Sequence, residues 1–351
     1  MDLGDNGSPQ GSILAGLFFG VYQNDFPANS AEENSVLFVD DDTDNVADSD
    51  PDNLELKLQV QANSSAEWVR DNCMVCSGEK TKLLTITTRD IRNRNLLPNN
   101  RKLQVEVCGK VVNESVDEKL LGVIVSNDLR WKTHLYGNNK TGKEKLKGLI
   151  PKLAQRVGIL SKLSRVMPQP KFSNVIEGIF TSTLRYCLQL FGNVWGYDNL
   201  DENNRRFEAF TKEDNRRIQC LQNKVLRLKT GMNKHTPIVD LLKASGDMSV
   251  QQMTAYSTLM TVHKVVTTGS PGYLAQRLAL RKPDGGIFPN RQLNTIAVPN
   301  VRLTLSRGGF VYRGATLWNL LPANMRGEEK TQKFKLELRK WIRSNILHKP
   351  P

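Results

Sequence analysis

Two neighbouring carboxylates, Asp40 and Asp41, close a short apolar run in the order Phe38-Val39-Asp40-Asp41. Adjacent acidic side chains on a tight turn between strands project their oxygens outward. Mg2+ prefers oxygen ligands completed by substrate phosphates, so such a turn suits it. In two-metal phosphoryl transfer, one ion activates the attacking 3′-hydroxyl and the other neutralises the leaving pyrophosphate. Two carboxylates hold that geometry poorly, and a third is normally supplied by a neighbouring strand. Asp40, Asp42 and Asp44 also match the opening of an EF-hand loop. Asn45, however, stands where that loop needs Gly, and Pro51 where it needs Glu. A solvated acidic turn is the plain alternative.

Other residues with chemical potential are scattered. Cys73 and Cys76 form a CxxC, but no second Cys/His pair follows at zinc spacing, which favours reduced, partly buried thiols. Residues 137–144 (GNNKTGKE) approach a phosphate-binding loop but end in Glu144 rather than Ser or Thr, so a basic loop is the simpler reading. Arg216, Arg217, Lys224, Arg227 and Lys229 fall at helical spacing and could track phosphates or form a solvated face. Trp131, Trp195, Trp318 and Trp341 offer stacking surfaces for bases, although core packing is the more ordinary use of each.

Charge is segregated along the chain. Residues 1–67 hold one basic and 14 acidic residues, a net −13, whereas residues 68–351 hold 48 basic and 22 acidic, a net +26. A strongly basic body suggests a polyanionic partner. At 351 residues, 39% hydrophobic and 24% charged, the chain can bury a core and form two or three domains. No apolar run reaches the roughly 18 residues of a membrane span. Asp2 and Asp5 follow Met1 where a secretory signal would be basic and then apolar.

The elements that must position these groups begin with a turn-rich loop at residues 7–12. An amphipathic helix follows and ends near Pro27. Residues 35–39 read as a strand, 40–45 as a turn, and 46–47 as the start of a returning strand. Asp50-Pro51-Asp52 opens a helix whose face carries Leu54, Leu58, Gln61, Ala62, Ser65 and Val69. Residues 82–87 and 120–125 read as strands, and 102–112 as a hairpin around Cys108-Gly109. Beyond residue 130 helices are expected over 146–164, 171–191, 216–229, 249–266 and 331–346, with short strands at 301–305 and 310–312 and a loop over 283–299.

In this order the pieces resemble the palm of non-LTR retrotransposon reverse transcriptases. Gly7-Ser8-Pro9-Gln10-Gly11 resembles the family's Pro-Gln-Gly loop, and Phe38-Val39-Asp40-Asp41 its aromatic-x-Asp-Asp turn. Asn72 with Lys80-Thr81 resembles the later palm motif, and Leu121-Gly122-Val123 the strand that grips the primer end. Past the palm, Trp131 to Leu135, Ser182 to Tyr186 with Trp195, and Thr316 to Pro322 with Phe334 and Trp341 extend the likeness to most of the chain.

The resemblance implies an α+β fold with three parts. These are a partial palm with a small antiparallel sheet over residues 1–130, a helical thumb-like region over 131–235, and a basic, mostly helical region over 236–351. It implies RNA-directed DNA polymerisation with Mg2+ on an RNA template and DNA primer from deoxynucleoside triphosphates, inside the cell, and in the nucleus if the protein serves retrotransposition. Asp40 and Asp41 would hold metal. Gly7, Pro9, Gln10, Gly11 and Phe38 would meet nucleotide and template, Lys80 the phosphates, and Leu121 with Gly122 the primer. The family's first catalytic Asp lies upstream of the Pro-Gln-Gly loop, where only six residues stand here, and Asp2 and Asp5 lack a preceding strand. The expectation is therefore a fragment, without fingers or endonuclease, that polymerises weakly or not at all. The alternative is a non-catalytic nucleic-acid-binding remnant.

Overall fold

The computed structural model describes residues 12–26, 35–87, 102–138, 146–192, 194, 212–281, 294–301 and 304–346. The chain is α+β and divides into two packing units, Met1–Glu118 with Ser126–Asp128, and Lys119–Val125 with Leu129–Pro351. Among the described residues no helix is long and apolar enough to cross a membrane.

The first unit is arranged around one helix. Its elements are α1 (Ala15–Tyr22), β1 (Ser35–Phe38), β2 (Asp41–Asp44), α2 (Pro51–Asp71), β3 (Leu83–Leu84), β4 (Gln104–Val107) and β5 (Lys110–Ser115). α2 starts where its sequence says it should. Pro51 fits the first turn, and the Asp50 carboxylate accepts the Asp52 amide at 3.2 Å, a cap worth about 1 kcal/mol. Leu54, Leu58 and Ala62 then pack on Leu83, Leu103, Val105, Val107 and Val112. The sheet they cover has the order β3-β5-β4. β4 and β5 are antiparallel around Cys108-Gly109, but β3 runs parallel to β5, so the sheet is mixed rather than antiparallel throughout. The Gln59 amide covers the outer edge of β4. It accepts from the Glu106 N–H and donates to the Glu106 carbonyl, each at 2.9 Å, as a paired strand would. At the far end of α2, buried Trp68 meets Phe26 edge-on at 4.9 Å and donates to Asp25 at 3.2 Å.

The second unit is mostly helical. The hairpin of β6 (Asp117–Leu120) and β7 (Val123–Ser126) turns at Leu121-Gly122, with φ of 45° and 87°. The run 120–125 is thus broken in two, because a left-handed pair of residues closes a short hairpin turn there. α3 (Lys132–Tyr136), α4 (Leu149–Leu163) and α5 (Gln169–Ile176) follow. The helix expected over 171–191 is interrupted twice, by a π-turn at Glu177–Thr181 and by Cys187 at φ 55°, leaving α6 (Ser182–Arg185) and α7 (Leu188–Phe191). Next come α8 (Lys212–Thr230), α9 (Ile238–Ser245) and α10 (Val250–Thr268), the last opened by a reciprocal Ser249–Gln252 cap. α11 (Gly272–Arg277), α12 (Thr304–Arg307), α13 (Phe310–Asn319), α14 (Ala323–Arg326) and α15 (Thr331–Asn345) complete the unit.

α12 and α13 replace the strands expected at 301–305 and 310–312. Ala315, Leu317 and Trp318 bury one face of α13, and this tertiary burial overrides the local β-branched and aromatic signal. A Cβ on Gly314 would lie 2.9 Å from a Val262 methyl, so glycine sets how closely α13 approaches α10.

Leu226, Leu241 and Leu242 with Ile238 form a separate small cluster, and the largest hydrophobic core draws on residues from Leu135 to Ile346. Trp318 lies fully inside it, donating to the Asn294 carbonyl at 2.8 Å, and His263 stacks on Phe334 at 4.0 Å. Trp131 and Trp341 pack against the same core, while Trp195 lies outside the described residues. Arg313 ties α13 to the end of α7. Its guanidinium donates to the carbonyls of Gln189 and, at 2.6 Å, Gly192, and burial lowers its pKa to about 10.

His134 fastens α3 to β7. Its Nδ1 accepts the Ile124 amide at 3.2 Å, and the ring packs 4.6 Å from Phe191. Burial first, and then the charge of Lys152, pushes the imidazole down to about 4 from an ordinary 6.5. A depressed histidine pKa means that the unfolded chain binds the extra proton first. Its stabilising contribution is complete above about pH 6.5 and is lost as the pH falls toward 4. The protein is expected to be about 2 kcal/mol less stable at pH 5 than at pH 7 from this group. Thermal denaturation of the wild type and of His134→Gln at both pH values checks it. The variant should show a flatter dependence, and equal slopes would show that His134 is not responsible.

Candidate functional site

The structure puts Asp40 and Asp41 at the tip of a tight hairpin. β1 and β2 pair antiparallel, with Phe38 opposite Asp41 and Ser35 opposite Asp44, so the turn consists of Val39 and Asp40 alone. The turn is shorter than residues 40–45, and the returning strand is Asp41–Asp44 itself. Successive strand residues face opposite ways. Ser35, Leu37, Asp42 and Asp44 therefore share one face, and Val36, Phe38, Asp41 and Thr43 the other. Phe38, Asp40 and Asp41 are all exposed, with Phe38 at 58%.

Buried Gln61 of α2 fixes which face turns inward. Its Nε2 donates to Asp44 at 2.9 Å and to the Ser35 hydroxyl at 3.3 Å, and Ser35 also donates to Asp44. This separates the acidic residues by role. Asp44 is a buttress. Asp42 stands beside it, and its carboxyl is pushed up to about 7 by desolvation and then by the Asp44 charge, against the Thr43 amide that lowers it. Asp42 keeps much of its surface open to solvent, so crowding by Asp44 is the part of the cause most specific to it. Asp40 and Asp41 remain as the outward pair. The arrangement also excludes an EF-hand, since the residues that would loop around calcium form a strand.

Val39 carries the strain of the turn, with φ at 59°. A β-branched residue is a genuine outlier in that region. Such a conformation costs of order 1–3 kcal/mol and survives where the surroundings enforce it, often at functional sites.

The other expected site residues are distributed as follows. Lys80 lies in an exposed turn after α2, held by its amide to the Ser77 carbonyl at 3.1 Å, and no ion pair joins it to the hairpin tip among the described residues. Asn72 ends α2, donating to the Trp68 carbonyl at 3.0 Å. Gly7, Pro9, Gln10 and Gly11 lie outside the described residues, as do residues 139–145 of the loop like a phosphate-binding one. Leu121 and Gly122 meet Tyr186. The Tyr186 hydroxyl donates to the Leu121 carbonyl, and a Cβ on Gly122 would touch its ring at 3.4 Å. The chain order alone gives no sign of that contact between residues far apart in sequence.

Two sets of residues take ordinary roles. Cys76 neighbours Cys108 rather than pairing with Cys73; burial first and then Cys108 push its thiol up to about 11, so it stays protonated. Of the α8 cations, Arg216 and Arg217 bridge Glu213 at 3.2 and 3.1 Å, Arg227 faces the Thr236 carbonyl, and Lys229 pairs with Asp247 at 2.6 Å. Most of that face is therefore neutralised within the protein, and among the described residues exposed Lys224 has no such tie.

Two outward carboxylates suit Mg2+, which commonly binds through one or two carboxylates and completes its shell with water and substrate phosphates. Among the described residues no group of three acidic, histidine or cysteine side chains converges to hold a metal. Comparison with models of protein families, with curated proteins and with solved structures yields no match.

The strain at Val39 is testable. Val39→Gly should raise stability by about 1 kcal/mol, the relief of the left-handed conformation less glycine's added chain entropy. Chemical denaturation measures it, and a destabilised variant would show that the turn is relaxed as it stands.

Proposed function

We propose that this chain is part of a non-LTR retrotransposon reverse transcriptase. In this reading Asp40 and Asp41 hold Mg2+ for RNA-directed DNA synthesis at a primer terminus. The observation that carries it is the two-residue hairpin that presents both carboxylates outward at a strained turn, with Asp44 held on the other face by Gln61. On this reading residues 1–130 belong to a partial palm, residues 131–235 to a helical thumb-like region and residues 236–351 to the carboxy-terminal region. The motif order supports the assignment: Phe38-Val39-Asp40-Asp41, then Asn72 with Lys80, then Leu121-Gly122.

The divalent ion would supply charge neutralisation at the triphosphate and lower the pKa of the primer hydroxyl. The chain's own contribution is to hold Asp40 and Asp41 side by side, to place the Phe38 ring on the same strand face as Asp41, and to offer the Lys80 ammonium to phosphate. Gln10 and its loop would position nucleotide and template.

A second reading, a nucleic-acid-binding remnant without catalysis, is favoured by one observation. Among the described residues no third carboxylate joins the pair. Primer extension on an RNA template with the purified chain separates the two. Weak, Mg2+-dependent incorporation is expected. Asp40→Asn should reduce it by about 3 kcal/mol of transition-state stabilisation, roughly a hundredfold. Binding without incorporation selects the remnant. Incorporation untouched by Asp40→Asn removes the hairpin from the chemistry.

A further inference from the structure

The turn that follows α2 lies against the tip of the β4–β5 hairpin. Glu79 and Lys110 form an ion pair between the two segments. Gly78 sits so close to the hairpin backbone that a Cβ there would lie 2.5 Å from the Val107 carbonyl oxygen and 3.1 Å from the Lys110 Cβ. Cys76 enters this contact from one side, packing on the sheet cluster that includes Val105 and Val107. Cys108 enters it from the other, as the residue next to Val107 at the hairpin tip. The two side chains share a hydrogen bond. Both thiols are free, Cys108 exposed and Cys76 partly buried. Cys73, the other half of the CxxC, follows α2 in the open and, among the described residues, is no part of that cluster.

Packing does not account for a cysteine at position 108. The hairpin turns through Cys108-Gly109, both left-handed, with φ of 50° and 75°. Asn, Asp or Gly ordinarily takes the first place of such a turn, because other side chains are strained there. The Cys108 side chain is exposed, so burial does not offset that strain. What the residue supplies is a sulfur within reach of a second one.

We propose that Cys76 and Cys108 form a thiol–disulfide site that small-molecule disulfides such as oxidised glutathione oxidise reversibly. Exposed Cys108 is the entry point. Its thiolate attacks one sulfur of glutathione disulfide, that S–S bond breaks, and one glutathione thiolate leaves. The Cys76 thiolate then attacks the Cys108 sulfur of the mixed disulfide and expels the second glutathione. Two protein thiols are oxidised, one glutathione disulfide is reduced, and the two thiol protons end on the two glutathiones. At rest, burial and then Cys108 push the Cys76 thiol up to about 11. Its thiolate fraction is then about one in ten thousand at pH 7, so the second step is the slow one. Once Cys108 is capped as the mixed disulfide, its share of that upward push is gone. An exposed disulfide at a strained turn is of the labile kind that sensing sites use. It would tie the turn that carries Lys80 to the sheet across a loop of about 30 residues. The site stands on the thiol geometry of the first unit and is independent of the polymerase reading.

Oxidised glutathione added to the reduced full chain at about pH 8, followed by alkylation and mass-spectrometric mapping without reduction, tests it. The expected main product is a Cys76–Cys108 peptide pair, lighter by two hydrogens, several-fold more abundant than any other disulfide and reversed by reduced glutathione. Cys76→Ser should stop at a glutathione adduct on Cys108, and Cys73→Ser should leave the link intact. In urea the link should lose its dominance, because the fold no longer brings the two segments together. A folded wild type that carries glutathione on Cys108 without the link overturns the site. So does a dominant Cys73–Cys76 disulfide in the folded chain, or the same products with and without urea.

Discussion

The Gln61 amide holds the first unit to its purpose. Buried in the middle of α2, it donates to Asp44 and Ser35, one residue from each strand of the hairpin. A buried amide left without such partners would cost about 1–3 kcal/mol, so the pairing fixes which face of β1 and β2 turns inward. Shifting the register by one residue would send Asp41 inward and Asp42 outward. The outward position of Asp40 and Asp41 therefore follows from a contact on the opposite side of the hairpin. The same helix covers the β3-β5-β4 sheet with Leu54, Leu58 and Ala62 and clamps the β4 edge with Gln59. Hairpin and sheet thus answer to one element.

Charge is handled differently in the two units. The acidic first unit spends Asp44, Asp48 and Asp50 on local tasks: a buttress, a bridge to Lys57 at 2.9 Å and a helix cap. In the basic second unit, α8 pairs Arg216 and Arg217 with Glu213 and Lys229 with Asp247. At the start of α4, among the described residues, Lys152 and Arg156 form no ion pair. Net charge alone cannot reveal this, because it counts satisfied and unsatisfied cations alike.

Much of the fold was legible because local signals agreed with packing. The Asp50-Pro51 start of α2, its apolar face and the β4–β5 hairpin follow from capping and periodicity. The apolar spacing of α15 and the Ser249 cap of α10 are equally local. The failures have physical causes. Phe310-Val311-Tyr312 looks like a strand, yet burial of Ala315, Leu317 and Trp318 makes it helix. Residues 120–125 look continuous, but Gly122 at φ 87° turns the chain. The run 171–191 breaks at a π-turn that apolar periodicity does not register. At the candidate site a turn near the acidic pair was readable but its bounds were not, since the return strand begins at Asp41. The role of Gln61, the strain at Val39 and the meeting of Tyr186 with Gly122 arise from tertiary contacts, so they were not.

The central claim is that the outward pair, not the inner one, holds a divalent cation. Mn2+, a paramagnetic stand-in for Mg2+, tests it when titrated into the full chain carrying 15N-valine. The account predicts early broadening of the Val39 and Val36 amide signals, lost in Asp40→Asn with Asp41→Asn and retained in Asp42→Asn. Broadening confined to valines outside the hairpin, or unaffected by Asp40→Asn with Asp41→Asn, would contradict it.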